Sequence, residues 1–251
     1  MTPFREQVAE LDRALTERGF AREEGTLLVV WRGRWNGRDC VVRAAPQRRT
    51  KYVGEVRYRR TLGYRLRAEL ETNVRTQLFF VREGFASNAV VRWIYKWRKQ
   101  TAVTSVPDAL HGFVAVTIEP AWTERFFFES EAVAAVGRLL TGDAKPSLAG
   151  SVHLMPTSEM GKVHYASPVL PLDRITAERT AAVLDDLERI AVGAERIPAP
   201  QVVREVGAFG RFAEKHPWAT AAGLLFGCMG IVAFGALLFV LAAVALSAVL
   251  K

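Results

Sequence analysis

Residues 64–72 read YRLRAELET, and their side chains alternate between two chemical classes. One side of the extended chain carries Tyr64, Leu66, Ala68, Leu70 and Thr72, and the other carries Arg65, Arg67, Glu69 and Glu71. Alternation with a period of two is typical of a β-strand that has one face in the core and the other in water. We therefore predict a half-buried strand over this stretch.

An Asn-Gly pair lies upstream of this strand, in the run Trp35-Asn36-Gly37-Arg38. Both central residues of a tight hairpin turn need a positive φ, which asparagine and glycine tolerate. The flanking stretches 26–31 and 39–43 contain the β-branched residues that favour strands. The sequence therefore predicts a β-hairpin centred on Asn36 and Gly37.

A second hairpin is predicted between residues 152–155 and 163–166, with its turn at 158–161. If the loop has four residues, His153 faces His164 across the two strands. Facing imidazoles could bind a metal ion or titrate as a pair near neutral pH. Two nitrogens do not complete a zinc site, and a third ligand is found only if Glu159 folds back. We therefore predict ordinary half-exposed sheet histidines, with His153 and His164 as weak metal candidates and no cofactor.

Helical spacing appears in four further places. The first predicted helix begins at Pro3 and ends near Gly19, and the second runs from Ser87 to about residue 99. The third spans 130–140, and the fourth begins after a Thr176 cap. On the last of these, Asp185 and Asp186 are expected to face water. Because the strands come in hairpins rather than in βαβ units, we predict an α+β fold with a mainly antiparallel sheet and packed helices.

The helix predicted after Ser87 carries an aromatic stripe. Its apolar side is formed by Val90, Trp93, Ile94 and Trp97, and its other side by Arg92, Lys96 and Lys99. A stripe of this kind is typical of core packing, or of a helix that lies among lipid headgroups. Core packing is the commoner of the two, and we predict it here.

The formal net charge is +8, and 27 of the 34 basic residues are arginine. This bias has two readings, the codon usage of a GC-rich bacterial genome and an anionic partner. The richest stretch is 48–75, whose basic residues are Arg48, Arg49, Lys51, Arg57, Arg59, Arg60, Arg65, Arg67 and Arg75, interleaved with tyrosines. Arginine with tyrosine can bind phosphate and stack on bases, so this surface is a candidate for anionic lipid or nucleic acid. Nucleic acid is the less favoured ligand because no recognised binding motif accompanies the charge.

The C-terminal stretch 217–250 contains 34 residues without a formal charge, and about 20 suffice to cross a bilayer core. We therefore predict a single transmembrane helix, either tilted or broken near its glycines, with Trp218 at the interface. The predicted domains are a soluble α+β domain over 1–197, a Pro-containing linker and basic juxtamembrane helix over 198–216, and the anchor over 217–251.

Charge and glycine patterns around this anchor give two further predictions. Basic residues flank its near side at Arg204, Arg211 and Lys215, so the positive-inside rule predicts a cytoplasmic N-terminal domain at a bacterial inner membrane. Three glycines share one helical stripe at Gly223, Gly227 and Gly230, which is a candidate face for homo-oligomer formation within the membrane.

No phosphate loop, nucleophile elbow, zinc-protease motif or kinase signature is found in the sequence. Cys40 falls in a predicted strand without an identifiable catalytic partner, and we expect a buried structural cysteine. The leading hypothesis is a membrane-anchored cytoplasmic protein-interaction or scaffold domain without catalytic activity. An enzyme that acts on a lipid or membrane-bound substrate is the alternative, and a tether to anionic surfaces or nucleic acid through 48–75 is the third.

Overall fold

A computed structural model describes residues 3–24, 28–53, 56–142, 151–157 and 160–202 of the chain, with the backbone alone at 3–7, 24, 51–53, 56 and 59. The helices are α1 (Pro3–Glu17), α2 (Glu83–Ala86), α3 (Ala89–Trp97), α4 (Pro120–Phe126), α5 (Ser130–Thr141) and α6 (Ala177–Arg196). The strands are β1 (Ala21–Glu24), β2 (Val29–Trp35), β3 (Arg38–Val53), β4 (Val56–Thr72), β5 (Leu78–Arg82), β6 (Thr101–Val103), β7 (Phe113–Thr117), β8 (Ser151–Pro156) and β9 (Gly161–Ala166).

The nine strands of the described chain form one sheet in the order β1-β2-β3-β4-β9-β8-β5-β7-β6. Every strand pair in it is antiparallel. The sheet has two halves, the meander β1 to β4 and the group β5 to β9. They join where β4 pairs with β9, from Arg67 opposite Ala166 to Thr72 opposite Gly161. The predicted α+β fold with a mainly antiparallel sheet and packed helices is therefore confirmed.

One face of the sheet carries the core. Leu66, Ala68 and Leu70 of β4 are fully buried there, as the alternation of residues 64–72 predicts. Helix α6 covers this face of β4 and β9 and packs beside α5. Its apolar stripe includes Leu184, Leu187 and Ile190, all of which are fully buried.

Local turn and cap chemistry agrees with the sequence in three places. Asn36 and Gly37 have φ values of 48° and 85°, so the hairpin between β2 and β3 turns where predicted. The side chain of Thr176 accepts a hydrogen bond from the N–H of Arg179 and caps α6. In the second hairpin His153 lies opposite His164, in the predicted register.

Four details differ from the sequence prediction. The helix expected from Ser87 begins only at Ala89, as α3, because Asn88 rather than Ser87 caps it by accepting from the N–H of Val90, and the unpredicted α2 ends before Ser87. Asp186 is buried rather than solvent-facing, because it accepts hydrogen bonds from Arg138 at 2.6 Å and from Arg189 at 2.7 Å. Asp185 accepts from the indole N–H of Trp35 at 3.2 Å. Strands β1 and β6 and helix α4 were not predicted.

The C-terminal end of α6 is fixed to the sheet by Glu195. Its carboxylate accepts two hydrogen bonds from the guanidinium of Arg38, both of 2.7 Å. It also accepts one from the Thr72 hydroxyl at 2.8 Å and one from the N–H of Asn73 at 2.9 Å. The hydrogen bonds from Arg38 lower the pKa of Glu195 to about 2. This carboxylate therefore ties α6 to both β3 and β4.

Among the residues described, none of the helices combines the length and the apolar composition that a bilayer span requires. The anchor predicted over 217–251, with Gly223, Gly227 and Gly230, lies outside the described residues. The basic residues Arg204, Arg211 and Lys215 of the predicted juxtamembrane helix also lie outside them.

Candidate functional site

Helix α3 lies on the sheet face opposite the core helices. Its attachment is Tyr95, which is buried and meets the ring of Phe79 edge-on at a centroid distance of 6.0 Å. Phe79 belongs to the second face because its neighbour Phe80 is buried in the core. Tyr95 is the one residue of this nine-residue helix that is buried. The rest of α3 is therefore available for contact with another molecule or surface.

The outer side of α3 is apolar and exposed to solvent. Trp93 is 65% exposed and Trp97 is 74% exposed. Together with the exposed side chains of Val90 and Ile94, they form what we call the aromatic face. The prediction that this stripe packs in the core is therefore wrong, although its residues share one side of the helix as predicted.

Basic side chains surround the aromatic face. Arg92, Lys96, Arg98 and Lys99 are all exposed, and we call them the basic rim. Between Glu83 and Asp108 the sequence contains no acidic residue. A large exposed apolar patch with a polar rim marks a place where a soluble protein meets a partner or a membrane. Removing one large apolar side chain from water contributes up to about 3 kcal/mol, so burial of the two tryptophans would favour binding.

A row of polar residues runs across the sheet beside α3. Glu69 lies opposite His164, His164 opposite His153, and His153 opposite Phe79. The centroids of the imidazole rings are 5.8 Å apart and the ring planes are inclined at 63°, and the centroid of the His153 ring lies 5.6 Å from that of Phe79. Structure and sequence therefore agree that the two histidines meet.

Burial keeps this histidine pair neutral. Burial, together with the neighbouring His164, lowers the pKa of His153 to about 4. The pKa of His164 is also lowered by burial, against the opposing charge of Glu69. Burial alone would raise the pKa of Glu69, but the ion pair with Arg43 outweighs it and the pKa is lowered. In the described part of the chain, no three histidine, cysteine or acidic side chains form a group that could hold a metal ion. Glu159, the third ligand considered from the sequence, is outside that part.

The basic stretch 48–75 is divided between two environments. Arg48, Arg49, Arg57 and Arg60 are exposed on the outer part of the β3–β4 hairpin. Arg65 and Arg75 are half-buried, and Arg67 is exposed beside His164, whose pKa it lowers. Lys51 and Arg59 lie on the same strands, but their side chains are outside the described part. The structure thus spreads eight of the nine residues along the β3–β4 hairpin, and the ninth, Arg75, follows the end of β4.

Cys40 is buried in β3 at 2% exposure, as expected for a structural cysteine. Burial and the nearby charge of Glu69 raise the pKa of its thiol to about 12. A thiol in this state is almost entirely protonated at neutral pH, whereas the thiolate is the nucleophile in cysteine chemistry. Cys40 is therefore a packing residue.

A groove between α5 and α6 encloses about 210 Å³. Its charged lining residues are Glu129, Glu131, Asp185, Glu188, Arg189 and Arg196. Sites for small organic ligands usually enclose about 300–1,000 Å³ and are mainly apolar. This groove is therefore a solvated crevice between two helices, and the aromatic face remains the candidate site.

Comparisons with protein-family models and with the sequences of curated proteins found no match. Among solved structures, the chain is similar to the crystal structure of the mycobacterial trehalose monomycolate transport factor A, TtfA. The sequence identity is 10%, the alignment covers 77% of this chain and 97% of that chain, and the TM-score is 0.45. A TM-score of 0.45 is too low to assign a fold family or a function to this chain.

Proposed function

We propose that this protein is a non-catalytic membrane-surface protein whose α+β domain docks on an anionic bilayer through the aromatic face. The observation that carries the proposal is the exposure of Trp93 and Trp97 on a helix held to the sheet by Tyr95. A core helix would bury these side chains. Here Tyr95 holds α3 against the sheet, and the apolar side of the helix faces the solvent.

The chemistry of α3 favours a bilayer as the occupant. Tryptophan partitions to the membrane interface, because its ring is apolar and its N–H can stay hydrated. An amphipathic helix with aromatic residues on one side and cations beside them is typical of helices that lie in the headgroup layer. The basic rim complements the negative charge of anionic lipids. The anchor predicted over 217–251 would hold the domain near such a surface, in agreement with the hypothesis of a membrane-anchored domain without catalytic activity.

The test uses tryptophan fluorescence of the full chain in vesicles of phosphatidylcholine and phosphatidylglycerol with brominated acyl chains. The background is Trp218→Phe, which removes the tryptophan of the predicted anchor. Trp31, Trp35 and Trp122 are buried in the protein and provide a signal that lipid bromine does not reach. We expect strong quenching, and we expect it to disappear in the additional variant Trp93→Phe/Trp97→Phe.

Phenylalanine keeps the face apolar, so both proteins should dock equally. They differ in whether the aromatic face carries the fluorescent tryptophans. Equal quenching in both proteins would refute contact between the aromatic face and lipid. Circular dichroism of each variant checks that the fold is unchanged. If quenching is absent but a purified complex protects Trp93 and Trp97 from iodide, the occupant is a protein and the proposal fails.

A further inference from the structure

The outer part of the β3–β4 hairpin extends beyond the sheet. Strand β2 pairs with β3 only as far as Ala44, and β9 pairs with β4 only from Arg67 onward. From Arg48 to Thr61 the described residues of β3 and β4 pair only with each other. We call residues 47–53 and 56–62 the arm. At about 3.4 Å per residue, its seven residues on β3 extend roughly 24 Å from the sheet.

The base of the arm is fixed in place. Tyr64 and Leu170 exchange two backbone hydrogen bonds of 2.8 Å each. Gly63 has a φ of +151°, and a Cβ there would lie 2.5 Å from the carbonyl oxygen of Leu170. Pro46, which has no N–H to donate, stands just past the end of the pairing with β2, where a missing donor is tolerated. The arm therefore leaves the sheet at a defined point and in a defined direction.

The described charged side chains of the arm are all arginines, and Glu55 is the one acidic residue in the sequence between Gln47 and Leu62. Arg48, Arg49, Arg57 and Arg60 are exposed, and Arg49 lies directly opposite Arg60 in the ribbon. Like charges at directly opposite positions destabilise a strand pair. An anion bound between them would relieve that repulsion. The register thus places two positive charges side by side in the arm, and a phosphate group bound between them would stabilise the strand pair.

We infer that the arm is a second membrane contact, which binds the phosphate groups of anionic phospholipids. This inference rests on the proposed membrane docking of the aromatic face and adds lipid selectivity to it. Alternation along β3 from Val41 through Arg43 assigns Arg49 to the sheet face on which α3 lies.

Two other side chains favour a lipid surface over a nucleic acid. Tyr58 and Leu62 are 57% and 56% exposed. Leu62 is the unpaired residue where the register shifts, between Gly63 opposite Gln47 and Thr61 opposite Arg48. An exposed leucine gains nothing from a sugar-phosphate backbone, whereas it gains from the apolar edge of the headgroup layer. Each basic residue near an anionic membrane strengthens binding by about five-fold.

The test places a fluorescent label on the arm of the full chain by Leu62→Cys, in a Cys228→Ser background, since Cys40 is buried. The protein is reconstituted in vesicles with a headgroup spin label, containing phosphatidylcholine alone or with phosphatidylglycerol. We expect quenching of the label that requires phosphatidylglycerol and is lost at high salt. Replacing Arg49→Gln/Arg60→Gln should reduce it at least ten-fold in apparent affinity for the anionic lipid. The matched control is Arg13→Gln/Arg125→Gln, which removes the same charge from exposed sites on α1 and α4 and should leave quenching unchanged.

Other outcomes would overturn this inference. Quenching that is the same with and without phosphatidylglycerol, or the same in both double variants, excludes phosphate recognition by the arm. A label that ignores vesicles but responds to a short DNA duplex would make the arm a nucleic-acid-binding ribbon. Tryptophan quenching in the same vesicles separates the two proposals. If Trp93 and Trp97 are quenched while the arm label is not, only the arm inference fails.

Discussion

Helices α6 and α3 are both amphipathic and both begin with a side-chain cap, yet they place their apolar sides in opposite surroundings. The apolar side of α6 includes Leu187, which is fully buried, whereas that of α3 includes Trp97, which is 74% exposed. Periodicity therefore shows which residues of a helix share a side. Whether that side is buried depends on what the rest of the fold places against it.

The two helices differ in what surrounds them. Helix α6 lies between the sheet and α5, and at Gly193 a Cβ would come within 2.5 Å of the Cβ of Ala132. Such close packing buries the side of α6 that faces the sheet and α5. Helix α3 is held to the sheet by Tyr95, so its outer side remains open. The comparison can be tested by substitutions on both helices, taken below in order of decreasing expected effect.

Leu187→Ala should have the largest effect, because it leaves a cavity beneath α6. We expect the free energy of unfolding to fall by about 3 kcal/mol. Urea denaturation followed by far-UV circular dichroism measures this change. The control is Glu178→Ala on the exposed first turn of α6, which should change it by less than about 0.5 kcal/mol. A loss below about 1 kcal/mol for Leu187→Ala would contradict the burial of α6.

Glu195→Gln should have an intermediate and pH-dependent effect, since it removes the charge that Arg38 binds. At pH 7 we expect a loss of about 2 kcal/mol. The pKa of Glu195 is lowered to about 2 from its ordinary value of 4.5. Its stabilisation is therefore fully present above pH 4.5 and disappears as the pH falls through 2.

Denaturation curves of wild type and Glu195→Gln, recorded from pH 7 down to the acid limit of folding, test this prediction. The two stabilities should converge toward the acid end. Glu178→Gln, an exposed carboxylate on the same helix, should track wild type throughout. A constant gap between wild type and Glu195→Gln at every pH would mean that packing, rather than charge, accounts for the loss.

Trp97→Ser should have the smallest effect on stability, less than about 0.5 kcal/mol, although it removes the largest type of apolar side chain. The reason is that Trp97 is already in water in the folded protein. The matched control is Trp122→Ser, at a tryptophan that is 2% exposed, which should cost about 3–5 kcal/mol. Equal losses of unfolding free energy in the two variants, measured by urea denaturation, would show that the outer side of α3 is buried in the folded protein.

The parts of this fold that depend on short-range rules could be predicted from the sequence. The positive φ needed at Asn36 and Gly37, the alternation over 64–72 and the cap at Thr176 are each determined by neighbouring residues. The pairing of His153 with His164 also followed once a four-residue loop was assumed, because the length of a hairpin loop fixes its register.

Features that depend on distant partners could not be predicted in this way. Asp186 was expected in solvent because its partner Arg138 lies on another helix, 48 positions away in sequence. The aromatic face was expected in the core because exposure of Trp93 and Trp97 is uncommon in soluble proteins. Strand β1 was missed because its sequence, AREE, lacks the β-branched residues that mark strands.

The seam between β4 and β9 has a consequence for how the chain folds as it is synthesised. Strands β1 to β4 are complete once Thr72 has left the ribosome, but β9 begins only at Gly161. Until then one edge of β4 lacks its partner, and an open edge strand can pair with another chain. The charged side chains of Arg67, Glu69 and Glu71, at alternate positions of that strand, oppose such pairing, since charged residues are a means by which edge strands avoid aggregation. The charges that this strand carries in the finished sheet thus also protect the nascent chain.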